Sequence, residues 1–180
     1  MTPLRSDAAR SRSRILEVAR ASDRQTLRLN EVARQAGVGV GTVYRHFPTV
    51  HALVEALTVS TLDQMLEISR NAAIEADSGV ALAQYLRMAL TLQLEDGGLQ
   101  AVLLSPEDES DDVRAAKHEI YASFASVLTR AKDAGAVRDN VTIDQLSHLV
   151  CGIEHAVRLG TPDDRGLMLD ILLAGLRPAL

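Results

Sequence analysis

Tryptophan is absent from this 180-residue chain, and there are only two Phe and three Tyr. Few segments alternate apolar and polar residues, so the aromatic, period-two signature of strands is missing. A single cysteine, Cys151, excludes an internal disulfide framework. No run approaches the roughly 18 consecutive apolar residues of a membrane span. The N-terminal MTPLRSDAARSRSR carries charge but lacks the apolar stretch of a secretory signal. The expectation is a soluble cytoplasmic protein with no membrane contact.

Helix formers are abundant. Ala, Leu, Arg, Glu and Gln dominate, and apolar residues make up 47% of the chain, enough to bury a core. Apolar spacing predicts an all-α fold of about nine helices. Their expected spans are about Asp7–Ala21, Leu29–Ala36, Val40 to just before Pro48, Thr49–Asp77, Gly79–Glu95, Leu99–Ser105, Val113–Ala134, Thr142–Leu159 and Asp163–Arg177. Gly37 suits a left-handed helix end, and Gly135 closes the seventh helix. Asp96-Gly97-Gly98 and Gly160-Thr161-Pro162 read as breaks, and Ser105–Asp112 (SPEDESDD) as a solvated acidic loop leading negative charge into the next helix.

Charge is distributed unevenly. The net value is −5, yet residues 1–50 hold nine Arg against four acids, while residues 51–180 hold ten basic and twenty acidic residues. A basic head of +5 on an acidic body of −10 implies a polyanion partner for the head alone.

Within that head, Gly37–Phe47 reads GVGVGTVYRHF. Its G-x-G-x-G spacing follows a helical pattern and has neither the strand nor the third-glycine spacing of a dinucleotide fingerprint. No nucleotide cofactor is expected. A short helix, a glycine turn and a second short helix instead form a helix-turn-helix, whose second helix enters the major groove. In this reading Thr42 meets a phosphate or a thymine methyl, and Arg45 forks onto guanine. Tyr44 and His46 bond phosphates, Val43 and Phe47 point inward, and Gly41 permits close approach. Arg28 and the Arg-rich first helix add phosphate contacts. The competing reading is a three-helix unit whose aromatic residues only pack, part of a helical interaction module without specific DNA binding.

Leu29–Phe47, LNEVARQAGVGVGTVYRHF, resembles the DNA-binding signature of TetR-type (TetR/AcrR) transcriptional regulators, and the likeness runs from about Ile15 to Leu57. It implies an N-terminal helix-turn-helix domain, residues 1–48, and a C-terminal helical ligand-binding and dimerisation domain, residues 49–180. It also implies a homodimer that represses transcription from a palindromic double-stranded operator and is released by a small-molecule effector. By position it implies base or groove contact from Val40, Gly41, Thr42 and Arg45, and phosphate contact from Tyr44 and His46. Arg28, Gly39 and Val50 depart from the family pattern, which often has Thr or Ser, Ser, and Lys there. Arg28 and His51 are the expected compensation at the phosphates.

In the C-terminal region, Leu146, Leu149, Val150, Ile153 and Val157 form one apolar stripe at helical spacing, and Met168, Ile171 and Leu172 another; the resemblance implies that together they build the dimer interface. The alternative is that both stripes complete a monomer's core. A partly hydrophobic effector is expected among the fourth to eighth helices, near Met65, Tyr85, Met88, Leu92, Phe124, Cys151 and His155. His148, Cys151 and His155 share a helix face at metal-ligand spacing, but they spread about 10 Å along the axis. Pocket or core lining is therefore favoured over metal. A thiol nucleophile on one continuous helix lacks an oxyanion hole, so no enzymatic activity is expected.

Overall fold

The computed structural model describes residues 3–24, 26–161 and 163–178. Among them are nine α-helices and no strand: α1 Pro3–Arg20, α2 Leu29–Ala36, α3 Val40–His46, α4 Val50–Ile74, α5 Ser78–Glu95, α6 Leu99–Leu104, α7 Asp111–Asp133, α8 Ile143–Leu159 and α9 Asp164–Leu176. Every expected helix is present, with ends displaced by a few residues. Pro162, expected to help part the last two helices, lies outside the described residues.

The chain packs as two compact units. One comprises Met1–Ser60 with Gly97–Arg114, the other Thr61–Asp96 with Ala115–Leu180. The first turns of α4 therefore pack with the N-terminal helices, and its remainder packs with the C-terminal ones. These packing units do not coincide with the sequence-based division at residue 48.

In the first unit, Ile15, Leu16 and Ala19 of α1 meet the buried face of α2, built from Leu29, Val32, Ala33 and Ala36. Gly37 ends α2 at φ 62°, a left-handed conformation in which an L side chain would be strained. Its N–H bonds the Arg34 carbonyl, and Val38 N–H returns to Ala33, closing the helix end. Thr49 caps α4, since its hydroxyl accepts from Ala52 N–H at 2.9 Å and donates to the Glu109 carboxylate at 2.8 Å.

In the second unit, α5, α8 and α9 pack on one another. Their helix ends are closed by side chains. Asp77 accepts from Gly79 and Val80 N–H at the start of α5, and Thr142 and Gln145 form a reciprocal capping box on α8. Arg130 reaches the Ala72 and Glu75 carbonyls at 2.8 and 2.9 Å, satisfying the last turn of α4. Arg158, paired with buried Glu154, does the same for α5 through the Gln93 carbonyl at 2.7 Å.

Candidate nucleic-acid interface

The seven residues of α3 divide sharply by burial. Val43 is fully buried and Phe47, just beyond the helix, is nearly so, which anchors α3 against its neighbours in the first unit. Val40, Gly41, Tyr44 and Arg45 are exposed, and Thr42 and His46 are half-buried. All six expected contact residues of α3 therefore lie outside the core, on a helix held from behind by two apolar side chains. Arg28, the seventh, is exposed where α2 begins.

Local chemistry explains how the helix is displayed. Gly39 supplies no capping side chain at the α3 N-terminus, and Arg28 supplies none at that of α2. The first N–H groups of each helix thus lack a capping oxygen from those positions. Such groups are natural donors to an anion such as phosphate. A Cβ built on Gly41 meets nothing within 4 Å, so no packing inside the chain requires glycine there. Arg45 folds back, its Nε donating to the Gly41 carbonyl at 3.1 Å. The bond is local and exposed to solvent.

Polar and basic side chains flank α3. Arg28 and Tyr44 share a surface groove of about 530 Å³ with Leu27, Asn30, Thr49 and Val50. The Arg12 guanidinium lies 5.4 Å over the Phe47 ring, tying basic α1 to the end of α3 by a cation–π contact. Arg34 is engaged differently: it and Gln35 bond Glu31 and hold that carboxyl down to about 2. His51 does not turn toward the groove as expected, because its Nε2 stands 3.0 Å from buried Glu55. Arg28 remains exposed beside the groove.

Similarity to known proteins agrees with this geometry. Residues 25–57 match the family model of bacterial regulatory proteins of the tetR family, and residues 77–178, more than half the chain, match the C-terminal domain of SbtR-like transcriptional regulators. The chain belongs to the TetR family. It is thus a DNA-binding transcriptional regulator and not an enzyme. A TetR transcriptional regulator of Streptomyces coelicolor, SCO0520, is similar at 28% identity over 94% of this chain and 99% of that one, with a TM-score of 0.55. More distant structures share the fold. Mycobacterium smegmatis AmtR is 20% identical over 93% of this chain and 84% of its own, at TM-score 0.62. Bacillus subtilis FadR, solved with stearoyl-CoA, is 18% identical over 94% and 99%, at 0.55. No curated protein matches the chain.

The other expected site residues of this TetR-family chain separate into groups. Met65, Tyr85, Leu92 and Phe124 are buried in the second unit. Tyr85 and Phe124 stack with centroids 4.6 Å apart, and burial pushes the Tyr85 hydroxyl well above its usual pKa, against a hydrogen bond with Ser69. Met88 and His155 are exposed and Cys151 half-buried, so these three do not join that cluster inside the core. Of the expected interface, Leu146, Val150, Val157 and Leu172 are buried within the chain itself, whereas Leu149 and Ile171 are exposed and Ile153 and Met168 half-buried. The apolar stripe read from the sequence is two adjoining faces, an inner and an outer one. Exposed Leu167 extends the outer face on α9.

Among the described residues, His148, Cys151 and His155 do not bring three ligand atoms together. No described helix is long and apolar enough to cross a membrane.

Proposed function

We propose that this TetR-family regulator is a cytoplasmic repressor that binds a palindromic operator as a homodimer and leaves it when a small molecule binds. One observation carries the reading: α3 turns Val40, Gly41, Tyr44 and Arg45 to solvent while Val43 and Phe47 fix its back to the core. Residues 1–48 read DNA and residues 49–180 bind effector and partner. Arg45 reads a guanine edge, Val40, Gly41 and Thr42 lie against the groove, and Arg28, Tyr44 and His46 hold phosphates.

Two-fold symmetry sets half-sites about one helical turn, ~34 Å, apart. The outer faces of α8 and α9, with Leu149, Ile153, Met168 and Ile171, meet their copies in the partner subunit. The effector has an apolar portion and enters near the stacked, buried Tyr85 and Phe124, where the Tyr85 hydroxyl and Ser69 supply polar groups. The fold neighbour solved with stearoyl-CoA supports an apolar effector class. Effector binding acts through α4, one continuous helix whose residues belong to both units. It must favour the state that does not fit DNA, since equal affinity for both states shifts nothing.

Selection of bound duplexes from a random library at about 150 mM salt tests the reading, because salt at that level suppresses non-specific phosphate binding. An enriched palindrome is the expected result. A folded protein that enriches no sequence overturns it.

A further inference from the structure

The first unit holds a second polar group that the DNA-reading surface does not use. His51 and Glu55 stand one turn apart on α4, and Asp108 lies in the acidic loop between α6 and α7. One ligand-capable atom from each lies within 4.8 Å of the others. Among the described residues no other three His, Cys, Asp or Glu side chains converge in this way.

Burial distinguishes this group from ordinary surface acids. Glu55 is 3% exposed, and a buried carboxylate is stable only when its charge is compensated. Its Oε1 accepts from the Glu109 N–H at 3.0 Å, a neutral donor. His51 Nε2 stands 3.0 Å from the same oxygen, yet that nitrogen is shut off from solvent and makes no hydrogen bond among the described residues. An imidazole nitrogen and a carboxylate oxygen thus stand 3.0 Å apart in a part of the first unit closed to solvent. Two ligands on one ion have this separation: metal–N and metal–O bonds of about 2.0–2.2 Å place neighbouring ligand atoms roughly 3 Å apart. Asp108 brings a second carboxylate oxygen within 4.8 Å of both atoms.

The loop is held where this requires. Thr49 donates to the Glu109 carboxylate, and Arg114 bonds the Asp108 carbonyl at 3.1 Å and the Asp111 carboxylate at 2.6 Å.

We propose that His51, Glu55 and Asp108 bind a divalent first-row transition cation of the zinc class, fastening the first turns of α4 to the α6–α7 loop. One imidazole and two carboxylates suit such an ion, with water completing its shell. The imidazole favours zinc or nickel over magnesium or calcium. Site occupancy does not depend on the DNA-binding reading.

The test uses the full-length, tag-free protein dialysed against micromolar Zn²⁺, followed by metal analysis and calorimetric titration. The expected result is one zinc per chain and no comparable binding of Mg²⁺. His51→Ala and Asp108→Asn, each with unchanged helical circular dichroism, lose the bound zinc. Asp108 lies in a loop, so its variant reports even if His51→Ala is unstable. The double variant His148→Ala/His155→Ala keeps the zinc. Absence of stoichiometric zinc in the parent protein overturns the proposal. So does zinc that survives both His51→Ala and Asp108→Asn, or zinc that disappears with His148 and His155.

Discussion

Gly37 and Gly41 do opposite work, although the sequence shows them as near neighbours in one glycine repeat. Gly37 sits at φ 62° with nothing within 4 Å of the place a side-chain methyl would occupy, so its requirement is purely conformational. Gly37→Ala should destabilise the fold by about 1–2 kcal/mol, the cost of a left-handed L-residue, measured by urea unfolding; an unchanged midpoint rejects that account. Gly41 lies inside α3 in ordinary helical geometry, again with nothing within 4 Å. Gly41→Ala should raise stability by up to about 1 kcal/mol through helix propensity. If Gly41 faces the groove, the same methyl should weaken duplex binding. A variant that melts higher and binds DNA unchanged places Gly41 away from the contact. For Arg45→Ala, the loss of a guanine fork should cost about 1–3 kcal/mol and relax preference at one base pair. A uniform loss across all sequences would make Arg45 a phosphate contact instead.

At the scale of elements, α8 shows what burial adds to periodicity. Leu146, Val150 and Val157 form its inner face, while Leu149, with Gly152 beside it, looks outward. The pair Leu149→Glu and Ile171→Glu should therefore yield a folded monomer, read by sedimentation and thermal melting. Leu172→Glu should unfold the chain, because Leu172 is buried in the chain's own core and an unpaired buried charge is strongly destabilising. A Leu149/Ile171 double variant that still sediments as a dimer would move the interface elsewhere. A helical wheel over residues 143–159 cannot separate these faces, since both are apolar and adjacent. Where apolar and polar faces are opposed, as in α2, the sequence is sufficient: Leu29, Val32, Ala33 and Ala36 are the apolar set by spacing and the buried set in the fold. The helix-turn-helix was legible for the same reason, with Val43 and Phe47 four apart. The His51–Glu55–Asp108 group was not legible, because Asp108 is more than fifty positions away from its partners and no local pattern links them. Nor were the long-range caps made by Arg130 and Arg158, whose acceptors are backbone carbonyls that any sequence would supply.

For the whole molecule, the uneven charge dictates how binding responds to salt. The first 50 residues carry +5 and the rest −10, so attraction to DNA comes from the head and the acidic body opposes non-specific wrapping. Each phosphate neutralised contributes about −0.9 to the slope of log K against log salt. Arg28 is exposed, supplies no side-chain cap to α2, and shares a groove with Tyr44 and Thr49, and in the proposed function it holds a phosphate. Arg28→Ala should flatten the slope by about 1 for each subunit bound while leaving base preference intact. Arg177, exposed beyond the end of α9, is as cationic but belongs to the acidic body, and Arg177→Ala should leave the slope unchanged. Filter-binding titrations across a salt series separate the two. Equal slopes for the parent protein and Arg28→Ala would remove Arg28 from the interface and leave the α3 side chains and the α1 arginines as the carriers of phosphate contact.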